Sequence, residues 1–370
     1  MIATADVIAQ LGTNKKPGSS AMPGVPYQNI RGLKTTCARD LSEVRANRIA
    51  ELVTVAGKSV LDLGCNVGTI SARLYELGAL VAGVDYDDIS IDVARQYNPG
   101  PSYEVAEINL ENIRALGHVD VIVWLSQFNW LVKQRGMDYA LDCLWEIGRH
   151  CDTLVFESAG VDDGGAPIGY RQDQMLGLLC KNTIFRDIRD HGQWNDHWTP
   201  RNVFVCRDPL VRHEGFFAVT DTGEQRGCVV KTFQAHQYAT ELKQRSAMFL
   251  RRLDPSPYFP RFIEEGENSI TMSWEGPRAT FIPETDMQGI LRRLRDSGGI
   301  THRDIRPDNL LYNGANTVLV DFAMATFPGE VTNTSHDLGG EYRWPHGFND
   351  EYSLLKSIQK LMLYAQGDAL

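Results

Sequence analysis

Nine residues constrain this chain more than any others: Val60-Leu61-Asp62-Leu63-Gly64-Cys65-Asn66-Val67-Gly68. An apolar run of strand length ends in glycines at 64 and 68, and helical spacing resumes over Ile70–Leu77. A buried strand that ends in such a turn lets the backbone approach a ligand closely before the next helix begins. A second apolar run, Leu80–Val84, ends in Asp85, where a carboxylate about 20 residues after the turn accepts hydrogen bonds from both hydroxyls of a ribose. Leu41–Val55 has helical spacing. The short apolar runs recur at Val119–Leu125 and Thr153–Phe156, with Asn202–Cys206 as a last strand. Strands alternating with helices predict an α/β layer fold with a parallel sheet.

Two ligand classes compete for this loop. A dinucleotide fingerprint needs G-x-G-x-x-G, with its pyrophosphate on the helix N-terminus. Here the spacing is G-x-x-x-G, with Asp62 two residues before the first glycine. An acid beside the loop repels a pyrophosphate and suits a cationic ligand. The segment resembles motif I of the class I methyltransferases, D-x-G-x-G-x-G. It keeps Asp62, Gly64 and Gly68 and has Asn66 in place of the middle glycine. The resemblance implies a Rossmann-like sheet and S-adenosylmethionine as cofactor. It also implies that Asp85 holds the ribose, that Glu107, Ile108 and Asn109 border the adenine, and that Leu125 and Ser126 line the methyl-transfer face. Tyr27 and Gln28 would close over the cofactor and Arg45 would pair with its carboxylate, with Arg39 and Arg48 as rivals. An inactive or merely nucleotide-binding relic is the alternative.

A second constellation lies downstream. Thr301-His302-Arg303-Asp304-Ile305-Arg306-Pro307-Asp308-Asn309 matches H-R-D-x-x-x-x-N, and Asp321-Phe322-Ala323 follows the apolar run Val318–Val320 in the D-F-G position. In that arrangement Asp304 takes the proton of an attacking hydroxyl, while Asn309 and Asp321 bind magnesium bridging the phosphates of ATP. Lys231, in Val229-Val230-Lys231-Thr232, would hold the α- and β-phosphates. Glu241, on the next predicted helix (Ala235–Arg252), is the expected partner of that lysine. Trp274-Glu275-Gly276 occupies the place of the inter-lobe hinge, where backbone groups would meet adenine. Phe216–Val219 and Cys228–Phe233 read as a hairpin, Phe262 and Ile270–Trp274 as short strands, and Asp286–Asp296 as a helix. Gly340-Glu341-Tyr342-Arg343-Trp344-Pro345 and Asp350-Glu351-Tyr352-Ser353 read as the close of an activation segment and the start of a helix. The order of these motifs predicts a bilobal α+β, protein-kinase-like domain with a truncated C-lobe. Three departures stand out: the nucleotide loop has only Gly223 and Gly227, Ala323 replaces a glycine, and Arg306 replaces the usual lysine.

Composition limits the remaining choices. At 370 residues the chain has room for two domains. The reading is an arm over 1–26, a methyltransferase domain over 27–208 and a kinase-like domain over 209–370. A net charge of -10 argues against general binding to nucleic acid or anionic membrane. Arg292, Arg293 and Arg295 read as a solvated helix face. Seven scattered cysteines without a CxxC pair suggest reduced thiols in a cytoplasmic setting. Neither a membrane span nor a secretory signal is expected, and peripheral membrane association stays open.

No convincing base stands out in the first half. His191 and His197 read as loop or surface histidines. A phosphate monoester oxygen, anionic near neutral pH, needs none. The order of the domains resembles the bacterial kinase–methyltransferases that terminate polymannose O-antigen chains. That resemblance implies a kinase that phosphorylates a terminal sugar and a methyltransferase that caps the phosphate. The acceptor would be a glycan or another small molecule. No long C-terminal coiled coil of the kind such length regulators carry is expected within these 370 residues. The alternatives are a methyltransferase with a regulatory pseudokinase, and a protein kinase with an attached methyltransferase.

Overall fold

The computed structural model describes residues 28–31, 41–161, 169–194, 200–215, 217–222, 225–330 and 348–365. The chain divides into two compact units, residues 1–176 with 188–209, and residues 177–187 with 210–370.

In the first unit, α1 (Ser42–Leu52) precedes β1 (Ser59–Leu63), α2 (Thr69–Glu76), β2 (Leu80–Asp85), α3 (Asp88–Tyr97), β3 (Ser102–Val105), α4 (Leu110–Arg114) and β4 (Val119–Leu125). Then come α5 (Phe128–Arg135), α6 (Met137–Ile147), β5 (Cys151–Glu157) and β7 (Arg201–Pro209), while α7 (Met175–Asn182), but for its first two residues, and the first three residues of β6 (Phe185–Trp194) group with the second unit. The sheet order is β3-β2-β1-β4-β5-β7-β6. β1 to β5 pair in parallel and β7 runs antiparallel to β5. Alternate residues of β4 serve the two faces. Val121, Val123 and Leu125 join Ile49, Ile70 and Leu74 in one core. Trp124 meets Phe128 and Phe156 on the other, in edge contacts at 5.7 and 5.8 Å. A strand buried on both faces reads as an unbroken apolar run, so Val121–Leu125 was legible. β6 was not: it is an edge strand whose middle is polar and partly exposed, with its buried aromatic residues, Phe185 and Trp194, only at the two ends.

In the second unit, β8 (Arg212–Glu214), β9 (Ala218–Thr222), β10 (Cys228–Phe233), β11 (Phe262–Glu265) and β12 (Ser269–Ser273) form an antiparallel sheet in the order β11-β12-β10-β9-β8. α8 (Ala239–Leu253) lies between β10 and β11 in sequence. Beyond the sheet come α9 (Glu284–Asp296), the hairpin of β13 (Leu310–Tyr312) with β14 (Thr317–Leu319), and α10 (Asp350–Ala365). A five-stranded antiparallel sheet with α8, followed by helices and a short hairpin, is the two-part α+β order expected from the motifs. Residues 177–187, which the sequence reading left with the first domain, group with this unit because its backbone and side chains hold them. Leu210 N–H donates to the Ile184 carbonyl at 2.8 Å, Arg278 N–H to Arg186 at 2.9 Å, and the Trp274 indole to Cys180 at 3.0 Å.

Among the described residues no helix is long and apolar enough to cross a membrane. Six cysteines are described, and each is a buried free thiol.

Candidate functional sites

The first site is a backbone cradle at the carboxyl ends of β1 and β2. Gly64 and Gly68 take φ of +83° and +75°, and Asn66 between them takes +53°. Only glycine adopts that region without strain, though asparagine tolerates it better than most residues. Space reinforces the requirement. A Cβ at Gly64 would lie 2.3 Å from Cγ of Gln127, and one at Gly68 2.6 Å from the Tyr103 hydroxyl. The loop is pinned to β2 by Gly64 and Cys65 N–H groups donating to the Val84 carbonyl at 2.7 and 3.0 Å.

Asp85 closes the cradle. It is 4% exposed and accepts the Asn66 N–H at Oδ2 (2.9 Å) and the Asp87 N–H at Oδ1 (3.0 Å). Each carboxylate oxygen accepts more than one hydrogen bond, so both keep capacity for a ribose hydroxyl. Burial pushes the Asp85 carboxyl above its ordinary range, against those backbone bonds. Two amide oxygens near the loop, Gln28 Oε1 and Asn66 Oδ1, are buried without a hydrogen-bond partner. Orphaned acceptors call for a donor. An ammonium group and ribose hydroxyls supply donors and a pyrophosphate does not, so the residues present fit S-adenosylmethionine.

Asp62 is buried beneath the loop. Its Oδ2 accepts from Ser71 at 2.6 Å, anchoring α2, and burial raises its pKa to about 6. Residues 28–31 lie along the same helix. The Asn29 carbonyl accepts from Thr69 Oγ1 at 2.6 Å, and Arg31 bridges Glu43 and Glu76. Asn109 caps α4 by accepting from Asn112 N–H at 2.8 Å, and the neighbouring Glu107 carbonyl accepts from the Asn112 amide. Ile108 is half-buried between them. Leu125 is buried at the end of β4. Arg45 is buried and bonds the Glu157 carboxylate, a partner that sequence reasoning missed. Arg48 packs over the Trp194 ring, and His191 sits on edge strand β6. Tyr27, Arg39 and His197 lie outside the described residues.

The second site is built from charged side chains. Lys231 Nζ, on β10, bonds Asp321 Oδ1 at 2.6 Å. Asn309 donates its amide to the Asp304 carbonyl at 2.8 Å and to Asp304 Oδ2 at 3.0 Å. Arg306 Nε lies 3.5 Å from Asp304 Oδ1. Burial lifts the Asp304 carboxyl to about 6, against the pull of Arg306. Burial works the same way on Asp321, but the Lys231 ammonium overrides it and holds that carboxyl below its usual range. His302 is fully buried, and burial lowers its pKa to about 4, so it is neutral at pH 7. Its Nε2 lies 3.0 Å from the Val320 carbonyl and therefore carries the proton. Nδ1 then accepts the Asp304 N–H at 3.3 Å. Asp350, first residue of α10, accepts the His302 and Arg303 N–H groups at 2.6 and 3.1 Å, fixing the loop from below. Arg303 and Asp321 both take positive φ, +70° and +68°. Strained backbone of this kind collects at functional loops.

Glu241 is corrected. Lys231 reaches Asp321 instead, and Glu241 pairs with Arg245, one turn along α8, at 3.2 Å. Arg245 also holds the Ala325 carbonyl and Glu330, so it fastens α8 to the segment after Asp321. The side-chain oxygens Asn309 Oδ1 and Asp321 Oδ2 carry no described hydrogen bond, and two such oxygens suit a magnesium ion. At the hinge position the Trp274 N–H donates to the Gly227 carbonyl at 2.8 Å. A Cβ on Gly276 would lie 2.3 Å from the Tyr312 carbonyl, so a close backbone crossing requires that glycine. Gly223 and residues 340–345 lie outside the described residues.

Residues 60–147 match the family described as "Methyltransferase domain". That match spans β1 to α6 and so includes the glycine loop and Asp85 of the cradle. Curated relatives include the ubiquinone biosynthesis O-methyltransferase of Pseudomonas fluorescens (strain SBW25), 39% identical over 74 residues, 20% of this chain and 32% of that protein. The Pseudomonas aeruginosa PAO1 protein of the same name is 34% identical over 91 residues, 24% of this chain and 39% of that protein. The chain therefore spans well under half the length of these relatives. Among solved structures, the bifunctional kinase–methyltransferase WbdD is 20% identical, covering 82% of this chain and 80% of that one, with a TM-score of 0.42. Magnesium protoporphyrin IX methyltransferase from Synechocystis PCC 6803 is 18% identical over 45% of this chain and 79% of that one, with a TM-score of 0.36.

Proposed function

We propose that this chain is a bifunctional kinase and methyltransferase. With ATP and magnesium it phosphorylates a hydroxyl of a glycan terminus, and with S-adenosylmethionine it methylates the resulting phosphate, in the cytoplasm. The carrying observation is that one chain holds both the donor-seeking cradle around Asp85 and the Lys231, Asp321, Asp304, Asn309 cluster. The glycan rests on the family resemblance alone.

Each group has a role that follows from its surroundings. S-adenosylmethionine, when bound, supplies an activated methyl group. Asp85 would hold its ribose, and Gln28 and Asn66 would meet its donors. In the second unit Asn309 and Asp321 would hold magnesium and Lys231 the phosphates. Asp304 takes the proton of the acceptor hydroxyl, and its pKa of about 6 suits a base working near neutral pH. The product of that step is a phosphate monoester, mostly dianionic at pH 7 because its second pKa is about 6. Its oxygen needs alignment rather than deprotonation, which accounts for a methyltransferase half without an evident general base.

The test is a double-label assay on polysaccharide acceptors, with phosphate-labelled ATP and methyl-labelled S-adenosylmethionine. The expected product carries both labels, and methyl incorporation depends on ATP. Methyl label entering without ATP, or ATP turnover untouched in Asp304→Ala, overturns the sequential reading. Phosphate label confined to protein would indicate a protein kinase instead.

A further inference from the structure

The carboxyl edge of the first unit's sheet holds a polar cluster that the cradle does not use. Glu157, last residue of β5, is fully buried. Its Oε2 pairs with Arg45 Nη2 from α1, and its Oε1 lies 3.1 Å from Arg201 Nη1. The Ser126 hydroxyl joins the same circuit, accepting from Arg201 Nη1 at 2.8 Å and donating to Glu157 Oε1 at 2.7 Å. Ser126 takes φ of +60°, a strained value for a residue with a side chain.

The placement is specific. β7 pairs antiparallel with β5, Glu157 opposite Val203, so Arg201 extends beyond Glu157 on the carboxyl edge. Ser126 follows β4 on that same edge. The next residue, Gln127, lies against Gly64, so the cluster adjoins the cofactor loop. In open α/β sheets this edge is where ligands bind. A buried ion pair is a weak device for stability, since apolar replacements of similar shape are often neutral or better. A strained serine that fixes a guanidinium beside a cofactor loop fits ligand handling better than packing.

Building on the phosphate-methylation reading, we propose that Arg201 and Arg45, held by Glu157 and Ser126, bind the phosphoryl group of the acceptor during methyl transfer. The ligand class is a phosphate monoester dianion, which guanidinium forks match in charge and shape. Glu157 and Ser126 are positioning residues, and the arginines make the contact.

Phenyl phosphate serves as the probe. Its binding to protein saturated with S-adenosylhomocysteine is followed by saturation-transfer NMR, in the wild type and in Lys231→Met, which removes phosphate binding at the second site. The expected result is binding in both, weakened at least tenfold in Arg201→Gln and less in Arg201→Lys, with homocysteine-cofactor affinity and unfolding temperature unchanged. Ser126→Ala, which leaves every charge in place, should weaken the probe severalfold and covers the case in which Arg201→Gln does not fold. No binding in Lys231→Met, undiminished binding in Arg201→Gln, or parallel loss of S-adenosylhomocysteine affinity overturns the proposal. The double-label assay judges the sequential reading separately: a protein that methylates unphosphorylated acceptor fails there, whatever phenyl phosphate does here.

Discussion

The cradle of the first unit is mostly backbone, whereas the centre of the second is mostly side-chain charge. In the cradle, N–H groups of Asn66 and Asp87 fix one carboxylate, and the glycines are required by φ and by the nearness of Gln127 and Tyr103. In the second unit the proposed site is four charged or amide side chains, Lys231 with Asp321 and Asn309 with Asp304, on loops where Arg303 and Asp321 take positive φ. A backbone site tolerates a change of side chain wherever the conformation survives, which is why Asn66 replaces a glycine at φ +53°. A charge site tolerates almost none.

That contrast orders the expected losses. Asp304→Asn keeps the shape of the loop and removes the base, so phosphotransfer should fall by about 10²- to 10⁴-fold. Methylation of an already phosphorylated acceptor should be unchanged. Following ATP consumption and S-adenosylhomocysteine release in parallel separates the two, and equal losses in both would break the division into two sites. Gly64→Ala comes next. The new methyl must sit at φ +83° and 2.3 Å from Gln127, and strain of about 1–3 kcal/mol corresponds to roughly ten- to hundredfold weaker cofactor binding. Adding Gln127→Ala should recover only the part owed to crowding, because the backbone strain remains. Calorimetry with S-adenosylhomocysteine reads both variants, and full recovery would show that space, not φ, selects the glycine.

The third effect is a pH dependence of phosphotransfer at the charge-built site. Asp304 must be ionised to act as a base, so phosphotransfer should fall as pH drops through about 6, reaching about a tenth of its plateau at pH 5. Stability moves the other way. The folded-state pKa lies above the unfolded value of 3.8, so this group's contribution is fully present below about pH 4 and lost as pH rises through 6. Asp350, also raised to about 6 by burial, has the same sign. Asp304→Asn should therefore flatten part of the melting-temperature curve between pH 4 and 6, and an unchanged curve would place the Asp304 pKa nearer the ordinary aspartate value.

Sequence spacing revealed the strands around each site because β1 and β4 are buried and read as apolar runs. It also singled out Asp304, Asn309, Asp321 and Lys231, which the structure joins as Lys231 with Asp321 and Asn309 with Asp304. What it missed are choices made in space. Lys231 turns to Asp321 while Glu241 turns to Arg245; the i,i+4 spacing of Glu241 and Arg245 on one predicted helix was the available signal for the second pairing, and nothing in the spacing gave the first. Glu157 and Arg201 end and begin strands 44 residues apart and meet only through the β5–β7 pairing. A glutamate closing an apolar strand, read as a buried charge in need of partners, was the available signal.

The smallest predicted effect tests a spatial choice of the same kind. Residues 177–187, an insertion in chain order between β5 and β7 that covers most of α7 and the first three residues of β6, group with the second unit, and the Trp274 indole bonds the Cys180 carbonyl at 3.0 Å. Trp274→Phe keeps an aromatic ring and removes that donor. A buried carbonyl left unsatisfied costs about 1–3 kcal/mol, so the second unit should unfold a few degrees earlier. Because Trp274 also stands at the hinge position, ADP with magnesium should bind more weakly, while stabilisation by S-adenosylhomocysteine should be untouched. If both ligands lose their effect together, the insertion couples the two sites, and the backbone-built and charge-built centres cannot be treated as independent.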